Sequence, residues 1–305
     1  MIDPGDNLHV ALEFSHPGLP FCPGTTEKGE ILYYTKSLLS PPNLPCSGPP
    51  PPGTYEVVIT GGIEHQYELP TIAIDRLNVS NPRVNVLFEN NSTIEILHYQ
   101  RVAPNSWVSK DNFLGGITPS LDSDANGNLH AIWENATNGN IYDDIYTICN
   151  GDELWKKWCR TPIGPLLVQD PDFDAEYPSI HTSGTFKVAT WVEDKPGPPV
   201  DWDVYYATFE LGCPPPIDQW SGPGLIGLTG WTDFFPHVLA GSGLTLDCPQ
   251  TYRLDFAFTT KDPSDIRRVW HEKRCFDIPC TSPEKNPRRR KSKSFLFPIP
   301  SILSP

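Results

Sequence analysis

ITPSLDSD (117–124), GNLHAIWENA (127–136) and DDIYTIC (143–149) are the three segments from which the fold can be read. They give a proline at a strand start, a tight Asp/Asn/Gly turn, a strand ending in an aromatic, a loop, and a further strand carrying Tyr. The same template runs through LPTIAID (69–75), NPRVNVLFENN (81–91) and IEILHYQR (94–101). It recurs in EYPSIHTS (176–183), FKVATWVED (186–194) and DWDVYYATF (201–209), and again in FFPHVLAG (234–241), YRLDFAFTT (252–260) and DIRRVWHEK (265–273). Alternation such as Val84, Val86 and Phe88 has period two and predicts strands. Pro70, Pro119, Pro178 and Pro236 recur 49, 59 and 58 residues apart. That spacing suits four strands per unit, and radial repetition of such units makes a β-propeller.

A fifth copy stands at the N-terminus without its first strand. IDPGDNLHVALEF (2–14) matches the end of strand 1 and all of strand 2, and GEILYYTKS (29–37) matches strand 3. At the other end, FPIPSILSP (297–305) has the Pro-x-apolar pattern with nothing after it. The expectation is one all-β domain over residues 1–305. It has five blades, or six or seven if the chain is part of a longer one. A basic linker over 281–294 leads to a C-terminal strand, 295–305, that closes the first blade and removes exposed edges.

Composition agrees. Proline is 35 of 305 residues, a load that helices cannot carry, since an interior proline costs a helix about 3 kcal/mol. An apolar fraction of 38%, with 9 Trp and 14 Phe, is too rich for a disordered chain. The net charge of −14 excludes a general nucleic-acid or anionic-membrane binder, because phosphates would be repelled over most of the surface. The exception is residues 265–293, with ten basic and four acidic residues, densest at Arg288–Lys293. This is either a solvated linker or a docking strip for an acidic partner, including another copy of the chain.

Eight cysteines without CxxC spacing point away from a zinc ribbon and toward disulfides in an oxidising compartment. Cys149–Cys159 and Cys275–Cys280 are the expected local pairs, with Cys22–Cys46 and Cys213–Cys248 remaining. Asn78, Asn90, Asn91 and Asn135 head N-x-[ST] sequons, which also fit export. No apolar run spans a membrane and no signal peptide is visible, so the expectation is a mature secreted or cell-surface form.

The run P-S-[IL]…G-N-L-H-A-I-W-E…D-I-Y-T, over about residues 2–275, resembles the repeats of sialidase-like (BNR-type) propellers and their non-catalytic relatives. The resemblance implies a propeller with its ligand face on the loops between strand 4 and the next strand 1, and between strands 2 and 3. The Asp-box turn of true sialidases is absent: Asp124 stands where its Gly belongs after Ser120 and Asp122.

On that face the catalytic candidates are Asp170, Asp172, Asp174 and Glu176, with Glu64 and Glu68 in the equivalent loop. Carboxylates this close repel unless solvated or bound to a cation, so they form a solvated acidic loop, a Ca²⁺ site or an acid–base pair. Asp122, Asp124 and Asn126 match half a calcium loop, or equally a metal-free turn. Trp202, Trp231, Phe173 and Tyr177 are candidates for sugar stacking. Trp133, Trp191 and Phe258 are read as core, and Trp155 and Trp158 as outer-strand residues. No nucleophile elbow or phosphate loop is present. The chain is therefore expected to be a non-enzymatic module that binds glycan or protein, with self-assembly by strand exchange open to it. The alternative is a glycoside hydrolase or lyase using the loop carboxylates. No cofactor is expected beyond Ca²⁺.

Overall fold

A computed structural model describes residues 1, 3, 7–14, 30–37, 55–60, 66–75, 83–147, 157–158, 166–168, 175–183, 186–194, 202–210, 220–221, 223–226, 232–241, 252–261 and 267–276. All regular structure among them is β, in five antiparallel sheets that follow one another along the chain. The first holds β1 (Asn7–Phe14), β2 (Glu30–Ser37) and β3 (Tyr55–Ile59). The second holds β4 (Tyr67–Asp75), β5 (Arg83–Asn90), β6 (Glu95–Ala103) and β7 (Ser106–Leu114). The third holds β8 (Gly116–Ser123), β9 (Leu129–Asn135) and β10 (Ile141–Thr147), with the two-residue strands β11 (Lys157–Trp158) and β12 (Leu166–Leu167) both on β10. The fourth holds β13 (Ala175–Ser183), β14 (Phe186–Asp194), β15 (Trp202–Glu210) and β16 (Gly224–Leu225). The fifth holds β17 (Thr232–Gly241), β18 (Tyr252–Lys261) and β19 (Arg267–Phe276).

In sheets two to five the proline-bearing strand of each template copy is the inner edge. These edges pack in succession, β4 on β8, β8 on β13 and β13 on β17, while β1 packs on β4. The core lies in the seams between sheets. Phe88, Trp133, Trp191 and Phe258 occupy one register position on the second strand of four successive sheets, and all are buried. Trp158 differs from its expected role. It lies on an outer strand, yet it is buried, because that strand turns its ring onto Phe113 (4.9 Å), Tyr146 (5.3 Å) and His98 (5.6 Å).

Sheets two and four have four strands, as the template predicts, while sheets one and five show three among the described residues. The basic linker (281–294) and the C-terminal strand (295–305) lie outside the described residues. Among the described residues no helix is long and apolar enough to cross a membrane.

Candidate functional site

The four template prolines share one backbone irregularity. The residue before each adopts a left-handed conformation: Leu69 (φ 50), Thr118 (φ 47), Tyr177 (φ 52) and Phe235 (φ 49). The strand register shifts at each, between Glu68 and Thr71, Ile117 and Ser120, Glu176 and Ser179, and Phe234 and His237. A pre-proline residue ordinarily stays extended, and a left-handed non-glycine residue costs roughly 1–2 kcal/mol. Four such outliers at one register form a repeated bulge that re-aims the side chain at one end of sheets two to five.

What offsets the strain is visible at two of the bulges. Glu13 Oε2 accepts the Leu69 N–H (3.3 Å), and Glu89 Oε2 accepts the Thr118 N–H (3.1 Å). Glu13, Glu89 and Glu134 hold the same register position on the second strand of sheets one, two and three. Each of the first two reaches forward to the bulge of the next sheet. Glu134 accepts the Thr118 hydroxyl (3.1 Å) within its own sheet. Burial pushes the Glu89 carboxyl up, helped by the nearby Glu68 charge and opposed by the Thr118 N–H. Two of the re-aimed side chains are aromatic and adjacent: Tyr177 and Phe235 lie 4.8 Å apart, with Phe235 54% exposed. Burial raises the Tyr177 hydroxyl, and the Glu176 and Glu134 charges add to it. The end of the sheets thus carries an aromatic pair, Phe235 exposed and Tyr177 half-buried, beside carboxylates.

The predicted residues distribute as follows. Glu68 and Glu176 sit two residues before their prolines, at equivalent positions, half-buried. Tyr177 is one of the re-aimed rings. Trp202 begins β15 at the same end, half-buried against the seam between sheets four and five. Asp170, Asp172, Asp174, Glu64, Phe173 and Trp231 lie outside the described residues. Phe235, Glu13, Glu89 and Glu134 are additions from the structure. Their signal in the sequence was the shared spacing from the template proline and from the strand-2 aromatic.

Asp122 and Asp124 serve different partners. Asp122 Oδ2 accepts the Thr182 N–H (2.7 Å) and hydroxyl (3.1 Å) from the next sheet and meets His181 Nδ1 at 3.0 Å. Asp124 closes its own turn, accepting the N–H groups of Asn126 and Asn128 (both 2.9 Å) and meeting His130 Nε2 at 3.3 Å. Burial alone would raise the Asp124 carboxyl, but the bonds from His130 and Asn128 outweigh it and hold it low. Asn126 is exposed at the turn. Among the described residues no cluster of three or more His, Cys, Asp or Glu side chains is placed to hold a metal ion.

Cys275, near the end of β19, is disulfide-bonded; the other seven cysteines, Cys22, Cys46, Cys149, Cys159, Cys213, Cys248 and Cys280, lie outside the described residues, as does Asn78. Asn91 is exposed in the β5–β6 turn, and Asn135 is half-buried at the end of β9. Asn90 is buried, its Oδ1 accepting the Ser92 N–H (3.2 Å) and its amide donating to Glu95 (3.4 Å).

No protein family matches the chain, and no curated protein matches it in sequence. Solved structures do. A GH43 β-1,3-galactosidase has 11% identity and a TM-score of 0.43, covering 80% of this chain and 53% of its own. The Aleuria aurantia lectin, solved with α-methyl-L-fucoside, has 11% identity and a TM-score of 0.44, covering 91% of this chain and 80% of its own. It is a six-bladed β-propeller. An α-L-arabinofuranosidase from Lactobacillus brevis has 11% identity and a TM-score of 0.45, covering 80% of this chain and 82% of its own. This chain spans about half the length of the galactosidase it resembles.

Proposed function

We propose that the chain is an exported, disulfide-stabilised β-propeller of five blades that binds glycans at the bulged end of its sheets without cleaving them. The observation that carries this reading is the pair Tyr177 and Phe235. The repeated bulge turns both rings out of the strand alternation and sets them side by side at 4.8 Å. Sugars present apolar C–H faces to such rings, and the neighbouring carboxylates accept hydrogen bonds from hydroxyls. Glu176 lies at the same end of the sheet, and Asp170, Asp172 and Asp174 precede it closely in the sequence, which makes Ca²⁺ a further candidate ligand. Cys149–Cys159 and Cys275–Cys280 pairs, with glycans on Asn91 and Asn135, belong to the exported form.

The test is a glycan array on the purified chain, followed by titration of the best ligand against Tyr177→Ala and Phe235→Ala. Each substitution is expected to weaken binding about tenfold, equivalent to ~1.4 kcal/mol. Absence of any glycan bound above background overturns the reading.

A hydrolytic reading is favoured by one observation, the raised Glu89 carboxyl beside Glu68. A pair of carboxyl groups in unlike environments is the apparatus of glycoside cleavage. If the chain turns over a glycoside, and Glu89→Gln abolishes turnover while leaving binding intact, the hydrolase replaces the binding module.

A further inference from the structure

The inner strands β4, β8, β13 and β17 contain no Lys or Arg at any position. Their acidic residues are Glu68, Asp75, Asp122, Glu176 and Asp233, and their only bases are His181 and His237. The cations described at the bulged end are Lys261, Arg267 and Arg268, all on the second and third strands of sheet five. We propose that the glycan bound at the bulged end carries amino sugars with free amines, held as ammonium groups by the carboxylates while Tyr177 and Phe235 stack on the sugar ring. This deepens the glycan-binding reading and rests on it.

The carboxylates form one connected arc across three sheets. Glu68 and Glu89 are directly paired across β4 and β5. That placement brings their Cβ atoms to roughly 5 Å and is destabilising for like charges. Glu89 Oε2 accepts the Thr118 N–H (3.1 Å), and the Thr118 hydroxyl donates to Glu134 Oε2 (3.1 Å). One threonine thus ties together carboxylates from two sheets. The arc continues into sheet four at Tyr177, whose hydroxyl is raised by burial and further by the charges of Glu176 and Glu134. It ends on Phe235, 4.8 Å from Tyr177.

This arrangement selects among sugars by charge. Sialates, uronates and sulfated sugars are held by guanidinium forks or ammonium groups, and the inner strands supply neither. A neutral sugar offers hydroxyl donors but leaves the mutual repulsion of the carboxylates in place. An ammonium group relieves that repulsion, because an opposite charge nearby favours the ionised carboxylate. The same cation is attracted to the face of an aromatic ring. The net charge of −14 adds a long-range field that draws a cationic glycan in and repels an anionic one. N-acetylation removes the charge while keeping the apolar face of the sugar ring, so the two forms of one sugar separate the carboxylates' contribution from the rings'. A lysine side chain carries the same ammonium without a sugar ring, and the comparison below distinguishes it.

Calorimetric titration of the purified chain tests the assignment, at mildly acidic pH where the sugar amine is protonated. The probes are a chitosan oligomer of unacetylated glucosamine and the fully N-acetylated oligomer of the same length. The free-amine form is expected to bind at least tenfold tighter at low ionic strength, with the margin shrinking as salt screens the charges. Glu176→Gln and Glu134→Gln are each expected to cut that margin at least threefold, and Phe235→Ala to weaken both forms. Equal affinity for the two forms, or tighter binding of the acetylated one, overturns the amine specificity and leaves the glycan reading standing. A margin that survives in both Gln variants overturns its assignment to this arc. A lysine oligopeptide that binds as tightly as the chitosan oligomer overturns it in favour of a cationic peptide ligand. A chain that binds no glycan of any kind overturns this specificity together with the glycan reading.

Discussion

The seam between sheets two and three and the seam between sheets three and four fill equivalent positions with opposite chemistry. In the first, His98 is fully buried among Phe113, Tyr146 and Trp158, with Nε2 on Asn85 Oδ1 at 3.1 Å. Desolvation, aided by Lys110, lowers its pKa to about 3, so the ring is neutral. In the second, the register position of His98 belongs to Asp143, which meets Lys187 Nζ at 2.6 Å with both side chains buried. Lys187 replaces a core aliphatic: Val84, Leu129 and Leu254 hold its place in the other sheets. Its stem and ammonium lie against Phe209 (4.4 Å) and Trp220 (5.0 Å). One backbone frame thus accepts either a neutral aromatic seam or a buried ion pair. The difference lies in what each seam loses when one partner changes.

The largest effect is expected at the charged seam. Lys187→Met leaves the Asp143 carboxylate buried without its cation, at a cost of about 3–5 kcal/mol. Adding Asp143→Leu is expected to recover most of that loss, and denaturant unfolding of both variants checks it. Non-recovery would mean that the pair specifies the packing rather than merely occupying it.

The neutral seam responds to acid instead. His98 has a folded pKa far below its ordinary 6.5, so below that pH the unfolded chain binds a proton that the folded chain refuses. Its contribution is intact above pH 6.5 and falls by up to about 1.4 kcal/mol per pH unit down to about pH 3. At pH 5 this is roughly 2 kcal/mol. His98→Phe is expected to flatten that part of the stability profile, and an unchanged slope would place the proton uptake elsewhere.

The smallest effects should be equal across the two seams. Thr71→Val and Ser120→Ala each remove the hydroxyl acceptor of one inter-sheet amide, Leu121 N–H (3.2 Å) and Ile180 N–H (3.1 Å) respectively, costing about 1 kcal/mol. Matching losses in thermal melts would show that the backbone frame is common to both seams and that only the side-chain filling differs.

The frame was legible because its signals are local. Prolines near 50–60-residue spacing and period-two strands lie within single segments, and the aromatic residues at positions 88, 133, 191 and 258 mark the core by their register. The seams were not legible. Lys187 within FKVATWVED looks like the polar side of an exposed strand, and only the approach of Asp143 from another sheet accounts for its burial. Trp158 looked peripheral because its strand is at an outer edge, yet the ring turns inward. At the candidate site, Tyr177 and the carboxylates Glu68 and Glu176 were readable from the loop pattern. Glu89 and Phe235 were not, since a bulge reverses the alternation by which an inward or outward residue is inferred. The remaining predicted loop residues fall outside the described residues.

That reversal has an evolutionary consequence. The pre-proline position is held by main-chain geometry and, at Leu69 and Thr118, by a neighbouring sheet's carboxylate on the main-chain N–H, neither of which depends on its side chain. Leu, Thr, Tyr and Phe occupy it in four sheets without disturbing the buried ring that follows in register. Selection can therefore rewrite this position copy by copy while the scaffold stays constant. For a protein engineer it is a ready-made diversification site, with four addressable letters on one surface.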